Sequence, residues 1–206
     1  MTKIKLCGLS RMEDIEAVNQ LRREYGAPDY AGFVFAKKSS RYVSPETAAE
    51  LRKLLDPEIT TVGVFVREPV ESVAELYRAG IIGIAQLHGG EDADYIANLR
   101  ALVPDCPLIH AFRIESEADI TKANASPADF VLLDHGAGGT GTAFDWSLLT
   151  GMTRPYFLAG GLTPETVAEA IRTLHPYAVD VSSGIETEGV KDSGKMRRFV
   201  ENAMDK

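Results

Sequence analysis

Pro155-Tyr156-Phe157-Leu158-Ala159-Gly160-Gly161-Leu162 and Val179-Asp180-Val181-Ser182-Ser183-Gly184-Ile185-Glu186 are the stretches that decide the fold. Each is a short apolar strand ending in a turn stripped of bulky side chains. Such turns let backbone N–H groups approach an anion closely, and a helix N-terminus after them adds positive potential. In an eight-stranded α/β barrel, the turns after strands seven and eight are where a substrate phosphate sits. Gly160, Gly161, Ser182, Ser183 and Gly184 are therefore candidate phosphate-binding residues, and a phosphorylated small molecule is the expected partner.

Working outward, strand and helix patterns alternate along the whole chain. Strand-like runs cover Lys3–Cys7, Tyr30–Phe35, Thr60–Val66, Gly83–Leu87, Leu108–Phe112, Phe130–Asp134, Tyr156–Ala159 and Ala178–Val181. Several, such as Val62-Gly63-Val64-Phe65-Val66, are continuously apolar, which suits parallel strands covered on both faces. Between them lie helix signals. Ser10-Arg11-Met12-Glu13 reads as a capping box before apolar Ile15, Val18 and Leu21. Ser44-Pro45 and Thr163-Pro164 each place a cap residue before a proline at the first helical position. Val70, Val73, Ala74 and Tyr77 line one helix face, and Tyr95, Ile96, Leu99 and Leu102 another. Asp192 precedes a last helix whose apolar side is Met196, Phe199, Val200 and Ala203. Eight such units predict a single-domain α/β fold, a (β/α)₈ TIM barrel over residues 1–206. A doubly wound open sheet is the alternative, but it would carry a glycine-rich turn after its first strand, where this chain has Cys7-Gly8-Leu9-Ser10.

Bulk properties narrow the partners. A net charge of −8 argues against non-specific binding to nucleic acid or to anionic membranes. No apolar run approaches the ~20 residues of a membrane span, and Met1-Thr2-Lys3-Ile4-Lys5 has no signal-peptide core, so a cytoplasmic protein is expected. Cys7 and Cys106 are far apart and form no paired motif, which points to reduced thiols rather than a disulfide or zinc framework.

In a barrel, the C-terminal strand ends share one mouth. Cys7 sits there, with Gly8 leaving room beside it; a thiolate can act as base or nucleophile, although a free cysteine is commonly just a small buried hydrophobe. Asp134 ends a dry strand, a setting that raises a carboxyl pKa and suits a general acid; it could equally cap a loop. The loop Gly136-Ala137-Gly138-Gly139-Thr140-Gly141 can bring backbone close to a ligand, and Phe144 and Trp146 anchor its far end. Arg41, in the cationic loop Lys37-Lys38-Ser39-Ser40-Arg41, has the fork that grips a planar carboxylate, a solvated surface charge being the alternative. His88 could orient a substrate or be structural. Asp180 could bind a sugar hydroxyl or tie the barrel floor. Cys106, between Asp105 and Pro107, reads as a turn residue without chemistry.

Taken in order, the motifs form a recognisable set. They are Lys5-Leu6-Cys7-Gly8, Gly32-Phe33-Val34-Phe35, Ser39-Ser40-Arg41-Tyr42-Val43, Val62-Gly63-Val64-Phe65 and Gln86-Leu87-His88-Gly89. They continue with Leu133-Asp134, Gly138-Gly139-Thr140-Gly141, Phe144-Asp145-Trp146, Leu158-Ala159-Gly160-Gly161-Leu162, Asp180 to Glu186, and Gly189-Val190-Lys191-Asp192. Each alone is weak, but their joint order is specific. The chain resembles the phosphoribosylanthranilate isomerase family from end to end. The resemblance implies Cys7 as general base, Asp134 as general acid and Arg41 on the anthranilate carboxylate. It puts the phosphate at Gly160-Gly161 and Ser182-Ser183-Gly184, with Gly139, Thr140 and Gly141 nearby. The implied reaction is an Amadori rearrangement needing no cofactor or metal, by a monomer or homodimer. Departures are small: Leu6 replaces the more usual isoleucine, Thr166 stands where the family often has asparagine, and the connection from Arg22 to Asp29 looks slightly long. Another phosphate-sugar barrel enzyme, or a non-catalytic phosphometabolite binder, is the rival reading. An epimerase would need metal-spaced ligands that four scattered histidines do not supply. An indole-glycerol-phosphate synthase would want lysines and glutamates at strand ends.

Overall fold

A computed structural model describes residues 1–134 and 146–205. Eight parallel strands hydrogen-bond in chain order and close on themselves. They are β1 (Lys3–Cys7), β2 (Tyr30–Val34), β3 (Thr60–Phe65), β4 (Ile84–Leu87), β5 (Leu108–Arg113), β6 (Phe130–Asp134), β7 (Tyr156–Ala159) and β8 (Ala178–Val181). Closure is made by β1 on β8, with Lys5 beside Asp180 and Leu6 beside Val181. The fold is the (β/α)₈ barrel, and the open-sheet alternative falls.

The strands are apolar throughout because both faces are covered. Side chains alternate between faces along each strand. Outward-facing Ile4, Leu6, Phe33, Phe65, Leu133, Leu158 and Val179 join the main core under the helices. Inward-facing residues stack in layers. At the N-terminal end Tyr30, Val62, Ile84, Ile109, Leu132 and Phe157 fill the barrel. Phe157 lies 5.4 Å from Tyr30, 5.8 Å from Phe130 and 5.6 Å from Tyr177, ring centre to ring centre. At the other end, among the described residues, Cys7, Val34 and Val64 form a small cluster with Ala36 against them. Large rings plug the floor while small side chains leave the mouth hollow, and that difference positions the site.

The helices are α1 (Met12–Tyr25), α2 (Pro45–Leu54), α3 (Val70–Arg78), α4 (Ala93–Leu102), α5 (Glu117–Asn124), α6 (Val167–Leu174) and α7 (Ser193–Met204). A 3₁₀ helix, Trp146–Gly151, stands between β6 and β7, and a second, Ser183–Ile185, follows β8. Ser44 caps α2 through Thr47 N, and Asp192 caps α7 through Lys195 N, as expected. Two helix starts differ. The first helix is capped at Arg11, because Asp14 rather than Glu13 folds back onto Ser10 N and Arg11 N. The expected Thr163 cap instead opens a turn in which Thr166 Oγ1 accepts from Thr163 N, so α6 begins only at Val167. Leu102, expected on a buried face, is exposed at the end of α4. The other expected apolar faces are buried at Ile15, Val18, Leu21, Val73, Ala74, Ile96, Leu99, Met196, Phe199, Val200 and Ala203. Among the described residues no helix is long and apolar enough to cross a membrane. After β8 a short antiparallel hairpin, β9 (Glu186–Thr187) and β10 (Val190–Lys191), sets Lys191 opposite Glu186.

Candidate active site

The hollow mouth is a cavity of about 360 Å³ that gathers Cys7, Arg41, His88, Asp134, Gly160, Gly161, Asp180, Ser182, Ser183 and Gly184. Those residues come from six different strand ends, and only the closed barrel brings them together. Gly139, Thr140 and Gly141, with the rest of their loop, lie outside the described residues.

Cys7 is buried at the end of β1, paired with Gly32 of β2. A Cβ on Gly32 would stand 2.7 Å from the Cys7 sulfur, so the glycine makes the space the thiol occupies. Burial pushes the Cys7 thiol up, against the pull of the Lys5 ammonium, and the Asp180 carboxylate adds to the rise. Lys5, two residues earlier on the same face, is fully buried, with Nζ 2.9 Å from Asp180 Oδ1. Burial would lower its pKa, yet Asp180 and Cys7 together hold it above the ordinary lysine value. Asp180 therefore ties β8 to β1, the second of the two roles its sequence context allowed. It also lines the cavity.

Asp134 ends β6 on the wall of the same cavity. Its strand is buried but its side chain keeps 27% of its surface open, so the expected dry setting holds for the strand rather than for the carboxyl. His88 Nε2 stands 3.6 Å from Asp134 Oδ2, and His88 Nδ1 is 3.0 Å from Gln86 Nε2. When the Gln86 amide donates to Nδ1, the imidazole proton is left on Nε2, aimed at the carboxylate. Gln86 Oε1 is buried with no hydrogen-bond partner among the described residues, and Gln86 lines the cavity. A ligand hydroxyl or N–H would satisfy that acceptor.

Arg41 is far from a solvated surface charge. Its Nε and Nη2 donate to the two oxygens of Glu186, each at 2.6 Å. Its stem runs over Gly8, where a Cβ would meet Arg41 Cδ at 2.5 Å. Lys191 donates to the same Glu186 Oε1 at 2.6 Å and to Ser182 O at 2.9 Å. Burial would raise the Glu186 pKa, but hydrogen bonds from Arg41 and Lys191 outweigh it and hold the carboxyl below the ordinary value. For Lys191 burial prevails and its pKa falls. The β9–β10 hairpin thus braces Arg41 from one side and the Ser182 turn from the other.

The two anion turns meet edge to edge. Gly160 and Gly161 have φ of +86° and +71°, a left-handed backbone that glycine alone adopts freely. Gly184 is pressed against the neighbouring turn so closely that a Cβ there would lie 1.9 Å from Leu162 O. Among the described residues no three His, Cys, Asp or Glu side chains group as metal ligands.

Sequence reading located the chemical groups but missed their supports, Lys5, Gln86, Glu186 and Lys191. A lysine in phase with Cys7 within a buried strand was the available signal for the first. The Glu186-to-Lys191 spacing carries no local signal, since its meaning lies in a contact with Arg41, 145 residues away.

Comparison with known proteins identifies relatives of the whole chain. The family model for N-(5'phosphoribosyl)anthranilate (PRA) isomerase matches residues 4–202. The N-(5'-phosphoribosyl)anthranilate isomerase of Thermoanaerobacter sp. (strain X514) is 45% identical, over 98% of this chain and 97% of that one. The crystal structure of phosphoribosyl anthranilate isomerase from Thermotoga maritima is 35% identical, with a TM-score of 0.85 and 98% of each chain covered. A crystal structure of phosphoribosyl anthranilate isomerase with reduced 1-(o-carboxyphenylamino)-1-deoxyribulose 5-phosphate is 34% identical, with a TM-score of 0.84 over 98% of each chain. On sequence and fold, the chain belongs to the phosphoribosylanthranilate isomerase family.

Proposed function

We propose that the chain converts N-(5-phosphoribosyl)anthranilate to 1-(2-carboxyphenylamino)-1-deoxyribulose 5-phosphate, with Asp134 as general acid and Cys7 as general base. The reaction shifts a carbonyl along one sugar and needs no net oxidation. Asp134 donates its proton to the furanose ring oxygen as the C1′–O bond breaks. The anilino nitrogen lone pair then forms the Schiff base. Cys7, as thiolate, takes the C2′ proton, and the electron pair left behind gives an enolamine. That enolamine tautomerises to the ketone, and the groups reset as Cys7 gives up the proton it took and Asp134 regains one, the exchange passing through solvent. Each positioned proton transfer is typically worth ~10²–10⁴ in rate.

The observation that carries this reading is a thiol and a carboxyl lining one small cavity, at the ends of β1 and β6, with the two small-residue turns after β7 and β8 between them in the ring. Those turns suit the phosphate. Gly139, Thr140 and Gly141 are proposed to take part in binding the substrate. Arg41 suits the anthranilate carboxylate: Glu186 occupies the Nε/Nη2 edge, so the end-on Nη1/Nη2 edge is the one offered to the ligand. With both substrate ends held, the sugar spans the mouth. His88 faces Asp134 and stabilises the carboxylate that forms when the acid has given its proton. Asp180 and Gln86 are within the same cavity to receive sugar hydroxyls. A non-catalytic binder would have no use for an acid and a thiol so placed. The protein is proposed to act in the cytoplasm as a monomer or homodimer, on a small phosphorylated substrate and without a nucleic-acid or membrane partner.

The test is turnover of the fluorescent substrate by Cys7→Ala and Asp134→Asn. Each is expected to lose activity by orders of magnitude while keeping the parent's circular dichroism. Near-normal turnover in either would remove that residue from its role. Complementation of a tryptophan auxotroph lacking this step separates the isomerase from the non-catalytic binder.

A further inference from the structure

Cys7 has a difficulty as a base: it is buried, and burial favours the thiol over the thiolate. Four charged groups face it. Lys5 shares its strand, Asp180 comes from β8, Lys191 from β10, and Arg41 from the loop after β2. His88 and Asp134 line the same cavity. Lys191 and Arg41 are both bound to Glu186, at 2.6 Å each, so each shares its charge with that carboxylate. Lys5 is different. Its ammonium is sealed from water, 2.9 Å from Asp180 Oδ1, and Lys5 stands two residues before Cys7 on the same inward face of β1, where its positive charge favours the thiolate. Thiol and carboxylate therefore compete for one buried cation.

We propose that Lys5 is a positioning residue that makes Cys7 ionisable, and that Asp180, by sharing the same ammonium, limits how far the thiol ionises. This rests on the reading of Cys7 as the base. The two residues act with opposite sign. Without Lys5, the thiol is left beside an uncompensated carboxylate and its ionisation moves to higher pH. Without the Asp180 charge, Cys7 becomes the only counter-ion for a buried ammonium and ionises at lower pH. An ion pair that only tied β8 to β1, without acting on the charge of the thiol, would leave ionisation unchanged or, by loosening the mouth, move it the same way when broken from either end.

The experiment uses the full chain with Cys106→Ala, so that Cys7 is the thiol that reacts. Alkylation by iodoacetamide is followed against pH, and kcat/KM is measured over the same range. Lys5→Met is expected to slow alkylation by roughly tenfold near neutral pH, as one pKa unit implies, and to move the rise of kcat/KM upward. Asp180→Asn is expected to speed alkylation several-fold, and Lys5→Arg to restore most of the parent's rate. Shifts in the same direction for the two variants, or none in either, would overturn the proposal. Should Lys5→Met fail to fold, Asp180→Asn decides alone: a thiol whose alkylation is unchanged or slower refutes it. An active Cys7→Ala would remove the base assignment while leaving the alkylation result standing, so the two failures are distinguishable.

Discussion

Gly184→Ala tests the anion site with a single carbon. A Cβ at Gly184 would lie 1.9 Å from Leu162 O, 3.0 Å from Leu162 C and 3.2 Å from Thr163 Cα. All three are backbone atoms, so no side chain can swing away. Side-chain carbons essentially never come within 3.0 Å of such a neighbour, and the β8 turn must therefore move from the β7 turn by roughly 1 Å. A misplacement of that size costs on the order of 10²-fold in catalysis when it falls on groups that position a substrate. That is about 2.7 kcal/mol of transition-state stabilisation. Steady-state fluorescence kinetics should show kcat/KM down by about that factor, mostly through KM, because the phosphate grip is shared by ground and transition states. Gly26→Ala is the control: it also has positive φ, +70°, but nothing lies within 4 Å of its Cβ. It should cost stability alone, about 1–2 kcal/mol for a left-handed residue with a side chain, and leave KM as it was. A folded Gly184→Ala protein with KM within about twofold of the parent would refute the assignment of these turns to the phosphate.

Two more outcomes follow from the Arg41 brace. Arg41→Ala removes a charge-assisted contact worth about 1.5–3 kcal/mol, so KM should rise by one to two orders of magnitude with kcat less affected; an unchanged KM would count against carboxylate binding there. Glu186→Gln bears on acid stability. Because the folded-state pKa of Glu186 is depressed below 4.5, its stabilisation is present above that value and is lost as pH falls through the lower folded one. Urea unfolding midpoints between about pH 3 and 7 should therefore fall less steeply with acid in Glu186→Gln than in the parent, and equal slopes would dismiss the linkage.

The barrel was legible in the sequence because its strands are buried on both faces, which leaves runs such as Phe130 to Leu133 without a polar side. Helix faces were legible for the same reason, through burial of one stripe. Helix starts were less so: the carboxylate one position beyond Glu13, Asp14, or a hydroxyl, Thr166, can displace the nearest capping signal. The candidate site was legible as far as strand ends announce it, and Cys7, Arg41, His88, Asp134 and the two turns share one cavity. Its second layer was not. Lys5 reads locally as an error in an apolar strand, and it makes sense only against Asp180, 175 residues on. Glu186 likewise reads as an exposed turn residue until Arg41 is brought across the barrel end.

The strand that begins the barrel and the strand that ends it are joined by charge as well as by backbone. Cut between β4 and β5, the polypeptide would divide into an N-terminal fragment holding the cations Lys5 and Arg41 and a C-terminal one holding Asp180 and the Glu186–Lys191 pair. Neither half could exclude water from its own ions, since an unpaired charge is costly to dry. The hollow where chemistry occurs is thus a property of the completed ring, and half-barrels of this sequence would carry opposite, mutually recognising edges.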